Sequence, residues 1–265
     1  MPQTGPPLHQ CRDAWGSLTV HEDAERRMLC FGNEVEQSCI DLRDPARLCH
    51  GYSQVMMLGL LLTKEIRYCT LLGLGAGAVA QALLAHQPGC RIEAVELRPK
   101  VIELAQTWFG LPDDRRLRLH SADAWEYLNR APTPTDLLLT DLYMSEGMNE
   151  LQARQHFLAA CRRALKPGGI LVCNYWLKSS LTHHALNESL QTVFDRQVVT
   201  LSIPDGNCVA FAFDGGIPRL SAKRFIQAAE VLGQTMDIPL PRHARALLHE
   251  NRQAFRFAGR DEYLR

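Results

Sequence analysis

The strongest constraint on this chain is an alternation running from Tyr68 to Phe213. Apolar runs stand at 68–72, 91–96, 116–120, 136–140, 169–174, 196–202 and 207–213, and segments of helical period centred near Val79, Leu104, Trp125, Leu158 and Leu186 separate the first six. Strands that are apolar on both faces and alternate with helices predict a mostly parallel sheet covered on both sides, the α/β, Rossmann-like class. Only "IPDGN" separates the last two runs. That is too short for a crossover helix, so an antiparallel final pair is predicted.

The rest of the chain arranges itself around this core. Residues 1 to about 15 read as a loose, Pro-rich lead, and the broken apolar pattern from Ser17 to Asp41 predicts small strands, so 1–50 is a lead with a minor β element. "GYSQVMMLGLLLTK" (51–64) has the spacing of one helix opening the α/β domain, which is expected to span 51–217. A mildly basic tail, 218–265, predicts two helices split by "DIPLPR".

Charge and composition exclude several functions. Lys plus Arg equals Asp plus Glu at 29 each, which leaves no basic footprint for a nucleic-acid backbone. No apolar run approaches the roughly 18 residues of a membrane span, and the start lacks the basic-then-apolar order of a signal peptide. Neither nucleic acid nor membrane is therefore an expected partner, and the expected location is cytoplasmic. The nine cysteines are scattered without a Cys-x-x-Cys pair, as in a reducing compartment. His183 and His184 would point two ways on a helix, so no metal site is expected.

"LLGLGAGAVAQALL" puts Gly73, Gly75 and Gly77 between a strand and a helix, where glycines allow a tight turn and let a ligand approach helix N-terminal amides. Gly73, Gly75 and Ala78 also satisfy a dinucleotide fingerprint, and a close-packed turn without ligand would look the same. Glu96, ending the second run, can accept hydrogen bonds from both ribose hydroxyls of a nicotinamide or an adenosyl ligand. Asp123 discriminates, because it stands where a carboxylate takes the adenine amine while the amide of Ala124 meets a ring nitrogen. The alternative for Asp123 is a helix N-cap.

"LLGLGAGAVA", "VELRPKVIELAQTWF", "LHSADAWEYL", "DLLLTDLY" and "ALKPGGILVCNYW" resemble, in order and spacing, the class I S-adenosylmethionine-dependent transferase fold. More narrowly the chain resembles the spermidine synthase family from about Arg27 to Phe213. "VEQS" with Gln37 and "GYSQVMM" with Tyr52 look like that family's substrate-side glutamine and tyrosine segments. The resemblance implies a small N-terminal β domain and a seven-stranded sheet. It also implies S-adenosylmethionine or its decarboxylated form as co-substrate, a small-molecule acceptor and a homo-oligomer, with a homodimer expected.

Two family acids are absent. Where the family's glycine loop carries Asp, this chain has Ala76, and where its D-x-x-D pair ends, this chain has Met144, leaving Asp141 alone. An ammonium buried without a partner costs several kcal/mol, roughly a thousandfold in binding. A site for decarboxylated donor plus diamine is therefore not expected unless Glu146 swings back. Asp141, after the fourth run, is expected to act as an acceptor-side base or cation anchor; its alternative is a loop carboxylate that caps the next segment. The favoured expectation is alkyl transfer, with methyl transfer plausible. An aminopropyltransferase with a rebuilt amine site, a nucleoside-binding module without turnover and a nicotinamide-dependent oxidoreductase are the rivals.

Overall fold

A computed structural model describes residues 6–32, 35–144, 147–176 and 180–255; the side chains of 35 and 180–183 are outside that description. Glu146 and the side chain of His183 thus lie outside the described residues, and His184 is exposed.

The chain opens with an antiparallel meander, β1 (His9–Asp13), β2 (Gly16–Glu22), β3 (Arg26–Phe31) and β4 (Val35–Asp41). β1 corrects the reading of this segment as a loose lead. It is an edge strand with no fully buried residue, held by its ladder to β2, so it carries no apolar signal. Between β3 and β4 the register slips: Leu29 faces Ser38 but Cys30 faces Glu36, leaving Gln37 as the extra residue of a bulge.

Two short helices, α1 (Gly51–Met56) and α2 (Gly59–Leu62), replace the single helix expected over 51–64. The break coincides with a close approach to the sheet. A Cβ on Gly59 would stand 2.9 Å from Val172 Cγ2 and 3.1 Å from Leu137 Cδ1.

The alternation then appears as β5 (Tyr68–Leu72), α3 (Ala78–His86), β6 (Arg91–Glu96), α4 (Pro99–Trp108), β7 (Leu117–Ser121), α5 (Ala124–Asn129) and β8 (Thr135–Thr140). A two-residue hairpin, β9 (Tyr143–Met144) with β10 (Gly147–Met148), follows β8; it was not foreseen, being too short for any periodicity. After it come α6 (Gln155–Ala164), β11 (Leu165–Trp176), α7 (Ser180–Val193), β12 (Val198–Ser202) and β13 (Asn207–Phe213). The tail forms α8 (Ala222–Met236) and α9 (Leu240–Glu250), separated at Asp237, which takes a left-handed φ of 50°.

The seven-stranded sheet has the order β12-β13-β11-β8-β5-β6-β7, parallel except for β13, which runs antiparallel to both its neighbours. Alternate residues feed two cores: Leu71, Leu139 and Val172 pack toward α3, α4, α8 and α9, while Leu72, Leu138 and Leu171 pack toward α5, α6 and α7. Strand order reverses between β5 and β8, so the crevice beyond their carboxyl ends is where an open α/β sheet places a ligand.

Arg98, just beyond β6, fastens the N-terminal sheet to this crevice. Its guanidinium is 2 % exposed, pairs with Asp13 at 2.7 Å, donates to the Gly16 carbonyl at 3.1 Å and lies 4.5 Å from the centre of the Phe31 ring.

Candidate functional site

A cleft of about 1020 Å³, open to solvent, lies over the ends of β5, β6 and β8 beneath β4. Gly73, Gly75, Glu96, Asp123, Ala124, Asp141, Gln37 and Tyr52 all line it. Gly77 is the exception: it is the left-handed N-cap of α3, φ 82°, packed against Leu111, and it shapes the loop from behind.

The loop is built on positive φ, 95° at Gly73 and 55° at Gly75. At Gly75 a side chain would press within 3.0 Å of Ser38 on β4, so this glycine lets the small sheet close over the loop. Leu74 N donates to Glu96 Oε2 and Arg98 N to Glu96 Oε1, each at 3.0 Å. The carboxylate thus ties the loop to β6 from within the cleft. Desolvation raises the Glu96 pKa, and these backbone amides act against the rise.

Asp123 is an N-cap as well as a cleft residue. Its Oδ1 accepts from Trp125 N at 2.8 Å and Glu126 N at 3.2 Å, while Ala124 begins α5 at the cleft wall. The N-cap alternative is thus the one observed, and it uses only one of the two carboxylate oxygens.

Asp141 continues from β8, with its amide donating to Leu72 O at 2.9 Å. Asn174 Nδ2 donates to its Oδ1 at 2.8 Å, and the Tyr52 hydroxyl donates to the same carboxylate. Desolvation pushes the Asp141 pKa up, and both donors oppose that shift. The Tyr52 pKa lies well above its ordinary value, through desolvation first and then the neighbouring Asp141. Tyr52 also stacks on His50, with ring centres 5.4 Å apart.

A second compartment of about 780 Å³ opens beside the first; Gln37, Tyr52, Tyr143 and Met144 border both. Its other walls include Glu36, Asn174, Trp176 and Asp205. Two buried polar atoms at this junction, Tyr143 Oη and Asn174 Oδ1, have no hydrogen-bond partner among the described residues. Both residues line the second compartment, and an unpartnered buried polar atom beside a cavity calls for a partner such as a ligand or a water.

Sequence reasoning missed Asn174, Tyr143, Glu36, His50 and Asp205. Asn174 had a signal, a polar residue near the end of an apolar run. The others lie on a bulge, a helix entry, a two-residue strand and a turn, which leave none. Ala76 also differs from expectation: it is fully buried in the core and is not among the cleft's lining residues, whereas Met144 lines both compartments.

The profile of the spermine/spermidine synthase domain matches residues 50–211. The polyamine aminopropyltransferase of Chromobacterium violaceum is 30% identical over 203 residues, 76% of this chain and 77% of that protein. Its counterpart in Neisseria meningitidis is 28% identical over 247 residues, 92% of this chain and 94% of that one. The mouse eEF1A lysine and N-terminal methyltransferase is 26% identical over 213 residues, covering 74% of this chain and 30% of that protein. Among solved structures, a probable spermidine synthase from Corynebacterium glutamicum has a TM-score of 0.70 at 18% identity, covering 88% of this chain and 94% of that one. Human methyltransferase-like protein 13 in complex with SAH has a TM-score of 0.65 at 23% identity, covering 72% and 94%.

Proposed function

The chain belongs to the spermine/spermidine synthase family, and from that premise we propose that it moves a methyl group from S-adenosylmethionine to an amine of a small acceptor. The observation that carries this reading is the position of Asp141, which lines the first compartment and is held by Asn174, a wall of the second, and by Tyr52, which borders both.

The compartment over the glycine loop takes the donor. Glu96 accepts the ribose hydroxyls, Asp123 takes the adenine amine through Oδ2, and the amide of Ala124 meets the ring. The glycine loop over Gly73 and Gly75, braced by Gly77, leaves room for the ligand backbone, and Gln37 and Tyr52 close the side facing the acceptor. The acceptor enters the second compartment, where Glu36, Asp205 and Asn174 Oδ1 favour a cationic or hydrogen-bond-donating group.

In the transfer, Asp141 accepts a proton from the acceptor ammonium. The freed nitrogen lone pair forms a bond to the methyl carbon as the carbon–sulfur bond breaks, and its electrons stay on sulfur as a neutral thioether. A raised carboxylate pKa narrows the gap to the amine it must deprotonate.

Methyl rather than aminopropyl transfer is favoured by Met144, which lines both compartments and supplies no acid for the bare ammonium of a donor that has lost its own carboxylate. A second reading, aminopropyl transfer, draws support from Glu36 and Asp205, which put two carboxylates on the acceptor side at other positions. Product mass separates the two. The protein is incubated with each donor and a panel of amines, and an increment of one methyl from S-adenosylmethionine supports the first reading. An aminopropyl increment from the decarboxylated donor alone replaces it with the second.

A further inference from the structure

The bulge at Gln37 has a consequence for metal chemistry. On a regular strand Glu36 and Cys39 would point to opposite faces, but the extra residue turns both to the side where His50 enters from the start of α1. His50 Nε2 is 2.8 Å from Glu36 Oε1 and 3.5 Å from Cys39 Sγ, and the three donor atoms lie within 4.8 Å of one another. Met28, Cys30 and Cys49 pack around Cys39, so a sulfur-rich pocket surrounds it.

We propose that Glu36, Cys39 and His50 form a binding site for a thiophilic divalent cation of the Zn²⁺ class, between the donor and acceptor compartments. Three ligand atoms of different type, a carboxylate oxygen, a thiol sulfur and an imidazole nitrogen, thus stand close enough together to share one cation. Zinc lies about 2.3 Å from thiolate sulfur and about 2.0–2.1 Å from imidazole nitrogen, so tetrahedral ligation sets those two atoms about 3.5 Å apart. The observed Sγ to Nε2 distance of 3.5 Å already matches. The Glu36 contact, at 2.8 Å, is a hydrogen bond that must open by about half an ångström to reach the corresponding edge. Thiolate, imidazole and carboxylate together select zinc-like ions over Mg²⁺ or Ca²⁺, which prefer oxygen alone. The site shares Glu36 with the acceptor side of the methyl-transfer reading but does not rest on that reading, and its test needs no substrate.

The full-length protein, reduced and stripped with chelator, is titrated with Co²⁺ and then Zn²⁺. The expected result is one Co²⁺ per chain with a thiolate-to-cobalt charge-transfer band and intense tetrahedral visible bands, displaced by Zn²⁺. Cys39→Ser abolishes the charge-transfer band, and His50→Gln and Glu36→Gln each weaken Co²⁺ binding at least tenfold, while Cys11→Ser leaves the titration unchanged. Should Cys39→Ser fail to fold, the two partly exposed ligands, Glu36 and His50, keep the proposal testable on their own. Absence of saturable Co²⁺ binding overturns it, as does a charge-transfer band that survives in Cys39→Ser or binding untouched by both His50→Gln and Glu36→Gln.

Discussion

The carbonyl oxygen of Asp141 occupies the space that a side chain on Gly73 would need. A Cβ there would overlap that oxygen, and Gly73 sits at a φ of 95°. The glycine loop and the strand end carrying the proposed base are therefore in close backbone contact. Gly73→Ala should cost about 2–4 kcal/mol in urea unfolding, through strain plus overlap, and should also weaken donor binding. Gly110 is the control: its φ is 68°, but nothing lies within 4 Å of its missing Cβ. Gly110→Ala should cost only about 1 kcal/mol. Equal losses at the two positions would mean that the contact with Asp141 contributes nothing.

Glu96 holds Leu74 N and Arg98 N and lines the cleft, where the proposed function has it meet the ribose. Glu96→Gln keeps one acceptor oxygen and halves the hydrogen-bonding capacity. Calorimetric titration with S-adenosylhomocysteine should show a loss of about 1–3 kcal/mol, with Glu96→Ala at the upper end because the loop also loosens. Wild-type affinity in both variants would remove Glu96 from the donor site.

How much of this was legible follows from where each residue sits. Glu96 and Asp141 end apolar runs, and an acid at the end of a buried strand in an α/β sheet can be read without coordinates. Asp123 was legible for the same reason, although its capping bonds needed geometry. Gln37 was reached by resemblance alone, and the bulge that brings Glu36, Cys39 and His50 together is a register event with no periodic signature. The edge strand at His9–Asp13 was invisible because pairing, not burial, holds it. The break at Met57–Leu58 was hidden because the apolar pattern runs on through it without a helix-breaking residue. What sequence conveys poorly here is contact between distant segments.

Placing acids at the two positions where the family carries them should have opposite consequences. Met144 borders both compartments, so Met144→Asp puts a carboxylate in the cleft and should raise affinity for a diamine such as putrescine by about 1–3 kcal/mol. Ala76 is fully buried in the core. Ala76→Asp forces a carboxylate among apolar side chains and should destabilise the fold by several kcal/mol without improving amine binding. Calorimetry with putrescine and thermal melts read the two outcomes. A stable Ala76→Asp variant with improved amine affinity would show that the loop turns this position into the cleft.

Asp141 couples function to stability with a sign that can be worked out. Desolvation raises its folded pKa above the unfolded carboxylate value of about 3.9. Between those two values the native state retains a proton that the unfolded chain has released, so stability falls as pH rises through that window. Above the folded pKa the deficit is complete. Asp141→Asn removes the charge while leaving an oxygen for Asn174 Nδ2, whose bond to Asp141 is 2.8 Å. The variant should be more stable than wild type at neutral pH, by up to about 2 kcal/mol, and the difference should vanish below the ordinary carboxylate pKa. Donor affinity should be kept, while turnover with the acceptor amine falls by roughly 10² to 10⁴ for want of a proton acceptor. Melting curves across the acid range test the first half and single-turnover kinetics the second. A variant that is less stable at every pH, or that turns over at the wild-type rate, would remove Asp141 from the role of desolvated base.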